Sequence, residues 1–374
     1  MKTMVLTPSL RRTGPVQGSF LLARHLQQCG EEVVFAVLDA DVPSAVSLAD
    51  EVESSGVAVH CFNMTGWRGI RHRHRVRAYL RENAIDAVVS DGLRPDLING
   101  GLDVVRIGTV RGILQEHYAL DHGWPLSRGI TIVHVRALRR LDAIFAISAA
   151  IRDHLVGKGV DPGRIQVVNN FVDVDEIRKA LATGPQLNDA SIHVGYFGAL
   201  IRRKRVDVAI RAVAKLVKEC GHKALKLHIV GDGPLHEKLA GSVRDFSLEQ
   251  QVAFHGYLRN PLDLMKDMNL VVLPSDSEGV PRCLMEALSL EKTCIASDIP
   301  GVRGLIEDGV TGYLFKRGDA EDMASVIDGV IREGRYLPKE NLHRHMLRNH
   351  DVTTGAEAML SRVRELVGRR AVSH

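Results

Sequence analysis

The chain has no long apolar run. Its first residues, Met1-Lys2-Thr3-Met4-Val5-Leu6-Thr7-Pro8, form a short apolar stretch that proline interrupts, far shorter than a signal-peptide core or a membrane span. A cytoplasmic chain is therefore expected. Cysteine is sparse and unpatterned: Cys29, Cys61, Cys220, Cys283 and Cys294 are odd in number, widely spaced and free of any C-x-x-C pair, which leaves no zinc or redox motif. They read as buried, reduced thiols. Excess charge is missing too, since the formal net charge is only +4, too mild to argue for nucleic acid without a recognisable basic motif. No low-complexity tract interrupts the chain, so disorder is not its main state. A G-x-G-x-x-G fingerprint is also absent, which counts against a dinucleotide-dependent oxidoreductase.

What is present points to two domains. A chain of 374 residues exceeds one ordinary core, and 45% hydrophobic with 25% charged residues is the balance of a globular protein. Short apolar runs alternate with helical patterns, the signature of parallel sheets wrapped by helices. Strands are expected over 4–7, 32–38, 57–62, 87–90, 105–110 and 143–148, with a helix such as 18–28 between them. Turn residues at Thr183-Gly184-Pro185-Gln186-Leu187-Asn188-Asp189 mark a linker, and strands over 193–198, 226–230, 252–255, 270–273 and 293–296 follow. The expected division is a domain over 1–183, a second over 190–350 and a closing helical segment over 351–374. Ligands of such sheets bind beyond the carboxyl ends of the strands, on loops that lead into helix N-termini. One basic run, from Trp67 and Arg68 to Arg81, sets arginine and histidine around spaced apolar residues, the pattern of a helix lying against anionic lipid and equally of a solvated helix face.

The strongest chemical signal is Pro274-Ser275-Asp276-Ser277-Glu278-Gly279-Val280-Pro281-Arg282-Cys283-Leu284-Met285-Glu286-Ala287-Leu288, a strand end, loop and helix start. Pro281 suits the first turn of a helix and leaves the amides of Arg282 and Cys283 to meet an anion. Glu286 follows Pro281 by roughly 7.5 Å of helix, so Glu278 and Glu286 can address opposite ends of one ligand. The stretch resembles the E-x7-E motif of the large retaining GT-B glycosyltransferases, the group 1 and family 4-like transferases of mannose, glucose and N-acetylglucosamine. The continuation from Ala296 to Ile306 and from Asp308 to Phe315 is similar to that family as well. The resemblance implies an α/β protein of two facing doubly wound, Rossmann-like domains with a cleft between them: acceptor on the first, nucleotide sugar on the second, and the last helix crossing back to the first. It makes Glu286 the ribose ligand and Glu278 a ligand of the transferred sugar, with Gly279 and Leu284 beside them.

The loop Gly198-Ala199-Leu200-Ile201-Arg202-Arg203-Lys204-Arg205 sets four cations before a helix, which suits a diphosphate leaving group. Lys204 matches the family lysine. Ala199 stands where the family carries arginine, and Arg202 or Arg203 is left to supply that guanidinium. Gly231-Asp232-Gly233-Pro234 is expected near the diphosphate, and Gly256-Tyr257-Leu258 against the nucleobase. In the first domain the loop from Thr7 to Ser19 occupies the place of the family's glycine-rich loop, with Gly14 carried over, Gly18 as a second candidate, and Arg11 and Arg12 adding charge. Arg111 takes the position of the family histidine near the reacting centre, with His117 and His122 close by, and Ser90-Asp91-Gly92 is expected on the acceptor side. Asp276-Ser277-Glu278 imitates a metal-holding Asp-x-Asp, but the Lys204 loop argues for cations in place of a metal. No metal or other cofactor is expected, the nucleotide sugar being a substrate. The implied activity is retaining transfer of a hexose or N-acetylhexosamine to a glycan or lipid-linked acceptor at the inner face of the cytoplasmic membrane. The alternatives are a nucleotide-sugar 2-epimerase and a non-catalytic nucleotide-sugar-binding regulator.

Overall fold

A computed structural model describes residues 1–40, 47–179, 187 and 189–372. They form two compact units, the first Met1–Val172 with His350–His374 and the second Asp173–Asn349. The division thus falls at Val172, ahead of the expected 183, and most of the expected linker lies outside the described residues.

Unit 1 holds a parallel sheet of β1 (Lys2–Thr7), β2 (Glu32–Val37), β3 (Ala58–Cys61), β4 (Ala87–Asp91), β5 (Val105–Val110), β6 (Ala143–Ala146) and β7 (Ile165–Val167). Their spatial order is β3-β2-β1-β4-β5-β6-β7. Both faces are covered, and the strand sequences show it. Met4 and Leu6 pack into one apolar cluster with Phe62, Val76 and Leu80, while Val5 between them packs into the other with Phe20, Phe35 and Phe145. A sheet buried on both sides needs apolar residues at every position, which is why these strands read as continuous runs. The helix expected from residue 18 begins at Gly14, because Pro15 in its first turn needs no N–H partner there.

The last helix, Val352–Val372, completes this unit. Val352, Ala356, Met359, Leu360 and Val363 join the same cluster as Val5 and Phe35. Val172 and Asp351 form a parallel bridge, so the chain leaves unit 1 and re-enters it side by side.

Unit 2 repeats the plan with β8 (Ile192–Phe197), β9 (Leu225–Val230), β10 (Val252–Gly256), β11 (Leu270–Leu273), β12 (Thr293–Ser297) and β13 (Tyr313–Phe315), in the order β10-β9-β8-β11-β12-β13. All pairs are parallel. The order reverses between β8 and β11, so their loops leave in opposite directions and open a crevice at the carboxyl edge, where doubly wound sheets take ligands.

Two sequence expectations change. Of the five cysteines Cys294 is fully buried, Cys61, Cys220 and Cys283 are partly buried, and Cys29 is exposed, since it follows the last turn of helix Gly14–Gln28 on the solvent side. The basic run is a 3-10 turn, Trp67–His72, followed by helix Arg73–Glu82. Val76 and Leu80 turn inward, while Trp67 and the arginines from Arg68 to Arg81 are exposed. No helix among the described residues is long and apolar enough to cross a membrane.

Candidate active site

The crevice of unit 2 collects the sequence-derived residues. The loop after β8 ends in a 3-10 turn, Arg202–Lys204, before helix Val206–Lys218. The loop after β11 leads into helix Arg282–Ser289. These two loops are joined by charge. Lys204 Nζ lies 2.6 Å from Glu278 Oε1, and Arg203 Nη1 lies 3.2 Å from Oε2. Arg203 Nη1 also donates to the carbonyl of Ser277 at 2.8 Å. Burial alone raises the carboxyl of Glu278, but the charges of Lys204 and Arg203 outweigh it and hold the group below the usual carboxylate range. Two cations on one carboxylate leave the cluster net positive, ready for an anion.

Arg202 is exposed, whereas Arg203 reaches Glu278. Of the two candidates for a guanidinium in the crevice, Arg203 is the one placed there. Asp276 holds Arg205, with Nη1 at 3.2 Å from Oδ1. The Asp-x-Glu pair therefore faces three cations of the neighbouring loop.

Helix Arg282–Ser289 starts with Pro281 as its N-cap, one position earlier than the first-turn place expected of it. The first amides to bond back are those of Leu284 and Met285, both to the Pro281 carbonyl, so Arg282 and Cys283 occupy the open positive end. Glu286 projects one turn on and accepts from Arg282 Nε at 2.8 Å. The thiol of Cys283 is pushed up to about 12, first by burial and then by Glu278 and Glu286, against the opposing pull of Lys204.

Loops after β9 and β10 meet the same edge. A Cβ on Gly231 would stand 1.9 Å from the carbonyl oxygen of Gly198, so glycine is required for the two loops to pass. The amide of Gly231 donates to the Gly256 carbonyl at 2.7 Å, which draws Gly256, Tyr257 and Leu258 to the same side.

In unit 1 the expected residues turn inward instead. Arg111 Nε donates to Asp91 Oδ2 at 2.5 Å, its Nη1 to Asn170 Oδ1 at 3.0 Å, and its Nη2 to Ser19 Oγ at 3.4 Å. Side chains of Arg111 and Asp91 are only 8% and 9% exposed, so this guanidinium serves as a buried counter-ion. Ser90 is fully buried and donates to Asp96 Oδ1 at 2.6 Å, and His134 Nε2 lies 2.7 Å from Oδ2 of that carboxylate. Ser90 and Asp91, expected on the acceptor side, thus have their partners inside the unit. Arg12 pairs with Glu51. Gly14 opens its helix in free space, where no neighbour demands glycine. The side chains of His117 and His122 lie outside the described part.

Two family models match the chain in tandem, "Glycosyltransferase Family 4" over residues 14–176 and "Glycosyl transferases group 1" over residues 178–349. The chain belongs to the group 1 glycosyl transferases. The chain is 29% identical over 222 residues to the lipopolysaccharide 1,6-galactosyltransferase of Salmonella typhimurium, covering 58% of this chain and 57% of that one. It is 29% identical over 189 residues to the poly(ribitol-phosphate) alpha-N-acetylglucosaminyltransferase of Staphylococcus aureus, covering 50% and 36%. The matches thus span about half the length of those relatives or less. In fold, the group 1 transferase is similar to Anabaena HepE in complex with UDP and glucose, with a TM-score of 0.80 at 18% identity over 98% of this chain and all of that one. Sucrose-phosphate synthase from Thermosynechococcus elongatus gives a TM-score of 0.81 at 15% identity, covering 99% and 100%. The fold is GT-B. What the sequence did not signal in this transferase is the partnership of Arg205 with Asp276. The one available hint was the run of four consecutive cations, Arg202 to Arg205, alongside an Asp-x-Glu.

Proposed function

We propose that the chain is a retaining, metal-independent glycosyltransferase that moves a hexose or N-acetylhexosamine from a nucleotide diphosphate sugar to a hydroxyl of a glycan or lipid-linked acceptor in cell-surface polysaccharide synthesis. The observation that carries this reading is the cluster of Arg203 and Lys204 on Glu278, in the crevice between β8 and β11 and one short helix from Glu286. Relatives named for lipopolysaccharide and poly(ribitol-phosphate) glycosylation support the class of acceptor, and HepE with UDP and glucose supports the class of donor.

On this reading Glu286 accepts from the ribose hydroxyls and Glu278 orients the transferred sugar. The bond from the anomeric carbon to the diphosphate breaks as negative charge grows on the leaving oxygen, and Lys204 and Arg203 neutralise it where a metal would otherwise be needed. That oxygen takes the acceptor's proton on the face it leaves, so the new bond keeps the anomeric configuration. Incubation with a panel of nucleotide sugars and acceptors, with product anomer read by NMR in the presence and absence of EDTA, tests the proposal. A retained anomer formed in EDTA is expected. An inverted product, full metal dependence, or release of an altered sugar without acceptor overturns it.

The same reading places the enzyme on anionic membrane through the exposed stretch from Trp67 to Arg81. Each basic residue near such a surface contributes about 1 kcal/mol, so replacing Arg68, Arg71, Arg75 and Arg81 is expected to abolish sedimentation with anionic vesicles at low salt. Absence of sedimentation by the wild type returns the segment to a solvated face.

A further inference from the structure

Arg205 holds φ 48° and ψ 42°, the left-handed region that residues with a side chain seldom adopt. It sits between the 3-10 turn Arg202–Lys204 and helix Val206–Lys218, where glycine would take this conformation without strain. An arginine here works against its own backbone, so something else must favour it.

Its guanidinium makes two sets of contacts. Nε and Nη2 lie 3.1 and 3.2 Å from the two oxygens of Asp207, in the first turn of the following helix. Nη1 reaches across to Asp276, at 3.2 and 3.4 Å from its oxygens. Arg203 ties the same two loops from the other side of Lys204, its carbonyl accepting from the Asp276 amide at 2.8 Å and its Nη1 donating to Ser277. Lys204 is thus flanked on both sides by residues anchored to the loop that carries Glu278.

Stability does not account for this arrangement. Side chains of Arg205 and Asp276 are 30% and 32% exposed, and ion pairs so open to water contribute little to folding. The strained backbone subtracts from that small gain. By contrast, the pair held between the ties is drier, with Lys204 and Glu278 only 13% and 8% exposed, and its alignment governs what charge meets a ligand.

We infer that Arg205 is a positioning residue, which fixes the loop bearing Lys204 against the loop bearing Glu278 so that the ammonium stands ready for the leaving group. This rests on the function proposed above. Arg205 itself touches carboxylates, not the reacting atoms. Its contribution to rate comes through the placement of its neighbour, for which small displacements are costly.

Arg205→Gly separates the two roles, because it removes the tie while relieving the backbone. With the full chain and the active donor and acceptor, kcat is expected to fall about 10- to 100-fold, with donor KM little changed and the melting temperature unchanged or raised. Arg205→Lys, which keeps the charge but not the two-armed contact, is expected to fall between. Asp276→Asn is expected to lower kcat similarly, and the double variant to be no worse than either single one. Wild-type kcat in Arg205→Gly, or a loss of kcat that comes with a lower melting temperature, overturns the inference. Glu278→Gln is the control on the underlying reading. If it abolishes turnover while Arg205→Gly does not, the positioning role alone fails. If it too turns over normally, the site assignment has failed first and the inference falls with it.

Discussion

An arginine follows the carboxyl end of β5 in unit 1, and a run of them follows β8 in unit 2, yet their side chains go different ways. Arg111 folds back beneath helix Gly14–Gln28 onto Asp91 at the end of the adjacent strand. Arg203 and Arg205 reach forward to carboxylates on a separate loop, Arg203 to the buried Glu278 and Arg205 to the partly exposed Asp276. The difference lies in where the counter-charge stands. A carboxylate at the end of a neighbouring strand, covered by a helix, draws the guanidinium into the interior, where the loss of one partner leaves the other charge desolvated and unpaired. A carboxylate on a facing loop keeps it at the edge, where it stays available to a ligand.

That contrast is open to direct attack. Removing one partner of a buried ion pair strands the other, so Arg111→Ala is expected to cost about 3–5 kcal/mol in stability, read as the loss in a guanidinium titration. If stability were kept while turnover vanished, Arg111 would belong to the reacting centre after all, and the two units would use arginine alike. Lys204→Ala is expected to show the reverse emphasis, a kcat lower by about a hundredfold or more with a smaller loss of stability than Arg111→Ala, because Arg203 still meets Glu278. A fall in melting temperature of the size seen for Arg111→Ala would mean that the edge pairs also carry the fold.

A smaller effect sharpens the account of unit 1. A Cβ on Gly355 would stand 2.3 Å from the Phe171 ring, so Gly355→Ala is expected to destabilise by about 1–3 kcal/mol through overpacking. Donor binding, which the proposed function assigns to unit 2, should be untouched when measured by thermal shift with nucleotide sugars at a temperature where the variant is folded.

The smallest expected effect is on the pH profile of unit 2. His193, His228 and His255 form a hydrogen-bonded row across β8, β9 and β10, with nitrogens 2.9 and 3.0 Å apart. Burial, then His255 and His193, lower His228 from the ordinary 6.5 to about 4. The unfolded chain therefore takes up the proton first as pH falls. Stability from the neutral imidazole is complete above about 6.5 and is lost progressively down to about 4, following the linkage of proton uptake to folding. Urea midpoints measured across that window should decline, and His228→Gln should flatten the decline. A variant as pH-sensitive as the wild type would assign the effect elsewhere.

Much of the fold could be read before the structure. Strands covered on both faces announce themselves as unbroken apolar runs, and the expected bounds of β5 and β11 match the observed ones. The three-residue edge strands β7 and β13 did not, because so short a segment shows no period. In the site, Glu278, Glu286 and Lys204 were legible as a motif, and the structure brings Lys204 and Glu278 together. Arg205 was not, since its contact depends on a backbone conformation that nothing in the preferences of arginine suggests. The partners of Arg111 were not legible for a different reason. Its counter-ion, Asp91, lies 20 residues away in sequence, on a strand whose neighbour is known only once the sheet order is known.

The side-by-side exit and return of the chain at Val172 and Asp351 sets an order of events during synthesis. Domains made on the ribosome ordinarily finish in the order in which they emerge. Here the unit begun first is completed last, because Val352, Ala356, Met359, Leu360 and Val363 supply part of its apolar centre and are translated only after all of Asp173–Asn349. Until then the surface of helix Gly14–Gln28 that the final helix will cover, Phe171 beside it, is open to water and to other chains. Unit 2, being continuous, has no such wait. The first unit therefore waits for its closing piece through the synthesis of the whole second unit, with part of its apolar centre uncovered meanwhile.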